Sequence, residues 1–435
     1  MTLERLESFQ VTCFNTPDVQ SGKISPYFEN ATFVRNTKTG TGAYESKPGQ
    51  DTYDWPSGNG IIRFYAFSPS IEVMKTENAA LKDLDDDEIK TYFNLINSTK
   101  ITEKVDEGIS EATIGYRIDK IRINPDISRQ FDFVTAEASG ERWKDFVAGV
   151  ELDFSHKLCQ VEVKAWGESQ VYDFDIAGVR IGNPVVEGTF VFADDAGQIP
   201  SDGWETSTDA VKGNVEYLYQ AAVSSDTESE PKAGDRIFRI NRTEHNTQET
   251  AASIMGLGGC AMVIPTVNDA WEGLTDPDID NPSYSTEKMY FSILMRVKDA
   301  NNGNQVYPYP VNVYNMEVIS YAVDSEGNIL TRLYKGTDKG GYFTDSAHKQ
   351  PYEAGEGVEI MDFGWATVPV GVDWSAGKKY IYTLNYTEGI GLHDPSDPKP
   401  GNPIGDHSHI EWGVKVVGWD YAEEDENYDP DLDVP

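Results

Sequence analysis

Cysteine is scarce in this chain. Cys13, Cys159 and Cys260 are the only three in 435 residues, too few and too scattered for a disulfide framework or a CxxC metal site. They read as unbridged, buried small hydrophobes. Positive charge is short as well: 36 Lys and Arg face 73 Asp and Glu, leaving a formal charge of -37 and a pI near 4.4. Such a molecule repels phosphate backbones and anionic lipid surfaces, which excludes nucleic acid as a partner. No apolar run approaches the ~18 to 20 residues of a membrane span. The start, MTLERLESFQVTC, lacks a basic segment followed by an apolar one, so the sequence reads as a soluble chain, either cytosolic or with a targeting segment cut away. Catalytic signatures are missing too: no GxSxG, no HExxH, no phosphate loop and no GxGxxG opening a helix. Carboxylates are so numerous that their proximity is uninformative about acid–base catalysis. No catalytic residue, cofactor or metal is assigned.

Aromatic residues are plentiful, with 23 Tyr, 18 Phe and 9 Trp, and this favours sheets over helices. The length exceeds what one hydrophobic core usually serves, so two domains are expected. The stretch around which the chain is organised is Val150 to Trp166, VELDFSHKLCQVEVKAW. Val150, Leu152, Phe154, His156 and Leu158 share one parity, whereas Cys159, Val161, Val163 and Ala165 share the other. Strict alternation cannot keep both halves on one face. A bulge or a sheet-to-sheet crossing near Leu158-Cys159 reconciles them. His156 falls in phase with Phe154 and Leu158 and reads as a hydrogen-bonded structural histidine at a core or sheet edge.

Upstream, Phe9, Val11 and Cys13 mark a first strand over Ser8 to Asn15. In Ile61 to Pro69 both parities are apolar, which makes it a central strand. Residues 80 to 96 are the best helix candidate, because the acids of Asp85 to Glu88 precede Ile89, Tyr92, Phe93 and Ile96 at helical spacing. Phe133 to Ala138 is a further extended piece. Past Trp166, Phe174 and Ile176 change phase to Val179 and Ile181 across Ala177-Gly178, a bulge signal. Gly188 to Phe192 then completes a meander. A polar stretch over 194 to 235 marks the interdomain region, giving domains 1–210 and 211–435. In the second half Met289 to Val297, Val311 to Val323, Tyr380 to Tyr386 and Ile410 to Val416 alternate. The expectation is therefore an all-β chain of two β-sandwiches in tandem with little helix.

Two acidic or histidine-bearing loops bear on metals. Asp276-Pro277-Asp278-Ile279-Asp280 with Glu287 copies the carboxylate spacing of a calcium loop, but Asn281 stands where the turn wants Gly and Pro282 follows. The loop reads as solvated. His407-Ser408-His409, with Asp406 and His393, offers zinc-type ligands on a Pro/Gly-rich support too loose to hold them.

Five segments, taken in order, resemble the fimbrillin-like proteins of Bacteroidales, the pilins and accessory subunits of type V fimbriae. Tyr53-Asp54-Trp55-Pro56 followed by Ile62 to Pro69 is similar to their Trp-Pro and FYAYYP-like signature. Val150 to Ala165 resembles their L-x-F-x-H-x-L-S-x-V strand, with His156 and Leu158 matching and Cys159 where Ser is usual. Val179 to Phe192, Ala261 to Pro265 (with Thr266 replacing Gln), and Trp374 to Leu384 resemble three further family segments. The main departures are the missing lipoprotein signal with its cysteine and long acidic insertions that blur the type of subunit.

The resemblance implies two transthyretin-like sandwich domains and an extracellular fimbrial subunit, structural or tip adhesin. It would be exported as an outer-membrane lipoprotein precursor and trimmed at an arginine, with Arg5, Arg35 and Arg142 as candidates. Polymerisation would follow by strand addition, in which backbone hydrogen bonds supply affinity and alternate side chains supply register. The implied partners are other fimbrial subunits, in a homo- or hetero-polymer, and surface glycans or proteins of host or bacterium. Ile410, Trp412, Val414 and Val416 make the last apolar alternation, ahead of the acidic tail Tyr421 to Pro435. They are read as the donor strand, or as the strand bordering the acceptor groove; the bland reading is that they close the second sandwich. The other functional class is a carbohydrate-binding surface protein or glycan-active enzyme that stacks sugars on Trp55, Trp204, Trp271 or Trp365, which otherwise plug sandwich ends.

Overall fold

Ser8–Asn15 is buried along six consecutive residues, Phe9 to Phe14, so neither of its faces can meet water. In the computed structural model it lies inside a six-stranded antiparallel sheet. The order is Tyr44–Ser46, Phe28–Arg35, Ser8–Asn15, Ile61–Ser68, Val134–Glu141 and Ser155–His156. The structure describes residues 6, 8–15, 26–35, 44–49, 53–56, 61–70, 102–103, 110–111, 116–145, 149–192, 202–205, 210–222, 234–242, 247–256, 259–272, 287–308, 317–336, 340–396, 400–405 and 409–419. The candidate helix at 80–96, the loop 276–286, His407 and the acidic tail lie outside them.

The chain leaves the first sheet between His156, which pairs with Val134, and Cys159, which pairs with Val263. This is where the apolar phase changes, and the reason is a change of sheet. Cys159–Trp166 runs parallel to Lys378–Asn385, and Glu411–Gly418 closes that second sheet antiparallel. Tyr172–Gly182, Tyr290–Asp299, Glu359–Pro369, Val318–Val323 and Ile329–Lys335 form the body of a third sheet. Its register slips between Ile176 and Gly178, and a Cβ on Gly178 would stand 2.7 Å from the Tyr217 carbonyl. The glycine therefore permits the bulge that the sequence signalled.

Val185–Val191 does not complete a meander with Tyr172–Gly182. It turns away to pair with Arg117–Arg122, Trp204–Glu205 and Val211–Lys212 in a fourth sheet. The second and third sheets meet face to face, Phe291 edge-on to Tyr382 at 4.8 Å and Phe174 against Tyr386 at 5.1 Å. The first and fourth join the same core through Phe133 on Phe190 and Tyr65 on Phe192, both at 5.4 Å. The molecule is all-β in architecture. Its pairing crosses the expected boundary at 210/211, because Tyr172–Gly182 takes both Val215–Leu218 and Tyr290–Asp299 as neighbours. Alternation assigns a face to each residue but carries no address for the partner strand.

Candidate assembly site

Strand addition needs a strand that can leave, a groove that is left behind, and a segment to refill it. Ser8–Asn15 is the strand whose surroundings bear on the first two. It is the earliest described strand and is bonded on both edges, to Phe28–Arg35 and Ile61–Ser68. Thr12 and Phe14 turn toward the main core, where Phe14 meets Tyr65 and Tyr116 and the Thr12 hydroxyl donates to Tyr116 Oη at 3.4 Å. Phe9 and Val11 turn the other way, into a separate cluster with Ala66 and Ala136. Phe9, Val11 and Phe14 each contribute roughly 1.5–3 kcal/mol by burial. Burial pushes the Cys13 thiol far above its ordinary pKa, so it is an inert apolar group.

The outer cluster lines a groove of about 1070 Å³. Its walls include Phe28, Phe33, Tyr44, Trp55, Phe64 and Phe154. Phe9 stacks on Phe33 at 5.7 Å and tilts against Phe154 at 5.0 Å. Trp55, from the Trp-Pro pair, lies edge-on to Phe64 at 6.4 Å and covers Gly140, where a Cβ would come within 3.0 Å of its ring. Taking Ser8–Asn15 away would bare two ladder edges and an aromatic-lined trough together.

The C-terminal strand Glu411–Gly418 stands apart from this groove, at the edge of the second sheet. Among the described residues it is paired on one side only, Trp412 opposite Leu384, Val414 opposite Tyr382 and Val416 opposite Tyr380. Ile410 is buried, Trp412 and Val414 are half-buried against the core, and Val416 is exposed. In the isolated chain Trp412, Val414 and Val416 lie in the strand that closes its own sheet, and Ile410 immediately precedes it.

His156 is buried, its Nδ1 2.8 Å from Asp132 Oδ2 with the imidazole N–H donating to the carboxylate. The side chains of this pair are 3% and 6% exposed. Periodicity gave no signal for Asp132, because a partner 24 residues upstream leaves no trace in strand alternation. Arg35 ends its strand opposite Tyr44, Arg142 opens the short helix Arg142–Asp145, and Arg5 lies outside the described residues. Trp204, Trp271 and Trp365 are buried, and Trp204 Nε1 donates to the Lys157 carbonyl at 2.7 Å. These three rings plug the interior and offer no face to a sugar. His393 is buried beside Tyr307, while His409 is exposed. Among the described residues no three His, Cys, Asp or Glu are placed to hold a metal ion. Cys13, Cys159 and Cys260 form no disulfide; the first two are buried as expected, whereas Cys260 is only half-buried.

Residues 3–398 match the model of a family described as fimbrillin-like. No curated protein gives a match. Among solved structures, a protein of Bacteroides uniformis provisionally assigned to cell adhesion is 10% identical, with 95% of this chain and 91% of that chain covered at a TM-score of 0.36. A Bacteroides ovatus protein with the same assignment is 11% identical, with 95% and 87% covered at 0.34. One from Parabacteroides distasonis is 10% identical, with 95% and 94% covered at 0.34. With residues 3–398 of its 435 matched, the chain belongs to the fimbrillin-like family.

Proposed function

We propose that the protein is a cell-surface fimbrial subunit, structural or tip adhesin, and not an enzyme. It reaches the surface as an outer-membrane lipoprotein precursor, and its partners are further fimbrial subunits together with surface glycans or proteins that the finished fibre meets. Subunits join by strand addition: Ser8–Asn15 is withdrawn from one subunit and an extended segment of the next refills its place, with Ile410, Trp412, Val414 and Val416 as the donor residues. The observation that carries the reading is the position of Ser8–Asn15. An N-terminal strand bonded on both edges and buried on both faces leaves, when removed, a vacancy that another apolar strand fits. A cut after Arg35 would free that strand with its hairpin partner Phe28–Arg35, leaving the Ile61–Ser68 edge and the Phe64 and Phe154 side of the trough bare, whereas a cut after Arg142 would detach five of the first sheet's six strands.

The test is limited digestion of the purified chain with an arginine-specific protease, with Arg35→Ala beside it. The expected outcome is an SDS-resistant ladder from the digested parent and none from the variant. A digested parent that loses residues 1–35 and stays monomeric would overturn the reading.

A further inference from the structure

Trp419 follows the last residue of Glu411–Gly418, and its ring lies flat on the His156 ring, centroids 4.3 Å apart and planes 7° from parallel. The two residues come from different sheets. His156 pairs with Val134 in the first; Trp419 ends the strand that closes the second, its N–H donating to the Gly377 carbonyl at 3.1 Å. Gly377 in turn donates to the Leu158 carbonyl at 2.9 Å, so the tie returns to the crossover beside His156. The imidazole cannot turn away freely, because Asp132 holds Nδ1 in a site closed to solvent.

Burial along the C-terminal strand is uneven. Ile410 is 6% exposed and Trp419 9%, while Val416 between them is 46% exposed. The strand is thus most deeply buried at its two ends, and among the described residues its middle is held by one ladder and by the half-buried Trp412 and Val414 against the core.

We propose that His156, oriented by Asp132, and Trp419 form a latch that seats the C-terminal strand on its own subunit and must open before that strand passes to a neighbour. The inference rests on the assembly reading above and adds its control point. Parting the two rings exposes both to water and breaks a stacked contact, after which the strand can fray from its last residue while the first sheet stays intact. His156 and Trp419 are positioning residues for assembly; neither need touch the neighbouring subunit.

Hydrogen exchange on the full chain tests this, comparing Trp419→Ala and Trp419→Phe with the parent. In Trp419→Ala the amides of 411–418 should exchange about tenfold faster while those of 61–68 keep their parent rates. After protease digestion its SDS-resistant ladder should build faster, and Trp419→Phe, which keeps a flat ring, should restore both behaviours. Exchange at 411–418 that stays within about twofold of the parent overturns the latch. An equal rise at 61–68 overturns it too, since Trp419 would then be ordinary core. Faster exchange confined to 411–418, with no ladder from parent or variant, supports the clamp and overturns the assembly reading instead.

Discussion

Arg180 and Asp394 meet at 3.5 Å in the interior of the third sheet, their side chains 5% and 4% exposed. The guanidinium also reaches Glu216 at 2.6 Å and Glu317 at 2.8 Å and lies 4.1 Å over the Trp365 ring. Burial alone would drive the arginine's pKa down, but Asp394, Glu216 and Glu317 outweigh it and hold the pKa above its ordinary value. Asp394 accepts in addition from the buried hydroxyls of Ser292 and Thr367. The network explains how a strand of this third sheet tolerates a buried cation.

Arg180→Met should therefore cost about 3–5 kcal/mol, because it strands the Asp394 charge where water cannot reach it. Chemical denaturation reads the cost, and the double variant Arg180→Met with Asp394→Leu should recover a large part of it. A double variant no more stable than the single one would show that the pair is not the unit that matters.

Gly364 faces Tyr307, and a Cβ there would stand 2.7 Å from the phenolic oxygen and 2.8 Å from its carbon. Tyr307 is fully buried and donates to the Trp365 carbonyl at 2.7 Å, so its ring has nowhere to go. Gly364→Ala should cost about 1–3 kcal/mol through overpacking. Gly413→Ala meets nothing within 4 Å and should stay within about 0.5 kcal/mol of the parent. Equal denaturation midpoints for the two variants would contradict this account.

Nine tyrosines, Tyr116, Tyr217, Tyr219, Tyr290, Tyr321, Tyr342, Tyr380, Tyr382 and Tyr386, have phenol pKa values raised chiefly by burial. In the unfolded chain they ionise near pH ~10. Above that pH the unfolded state binds fewer protons than the folded one, so stability falls as pH rises. Stability should thus lose nothing to these groups below pH ~10 and drop steeply beyond it. Phenolate absorbance should rise in two phases, exposed tyrosines first and the buried set together with unfolding. A single smooth titration of all 23 would refute the expectation.

Faces were legible in the sequence and partners were not. The phase change beside Leu158 marks the point where the chain passes from Val134 as neighbour to Val263, and Gly178 marks a register slip. Both are local consequences of alternation. The parallel pairing of Val163 with Tyr382 has no local signature, because it is fixed by how two distant apolar faces share one core. The same limit hid Asp132 behind His156 and Trp419 above it. Trp204, Trp271 and Trp365 looked like candidate sugar platforms because turn-rich flanks suggest a surface. They are buried because an indole is large enough to fill the end of a sheet stack.

The C-terminal strand carries the last prediction. Trp412 and Val414 are half-buried on the core side of Glu411–Gly418, opposite Leu384 and Tyr382, and Trp412 tilts over the Tyr382 ring at 5.8 Å. If the strand is the donor, its apolar side chains enter the trough vacated by Phe9 and Val11, where a carboxylate would be buried without a partner. That burial costs several kcal/mol, roughly three or more per unpaired charge. In the isolated subunit the same two positions lie near an open edge and keep partial access to water, so two carboxylates there cost less than in a closed groove. Trp412→Asp with Val414→Asp should yield a folded monomer, with a cooperative melt and first-sheet amides exchanging at parent rates, that gives no SDS-resistant ladder after digestion. A double variant that polymerises normally would remove the donor role from this segment. One that unfolds outright would show that the strand belongs to its own sheet too firmly to be given away.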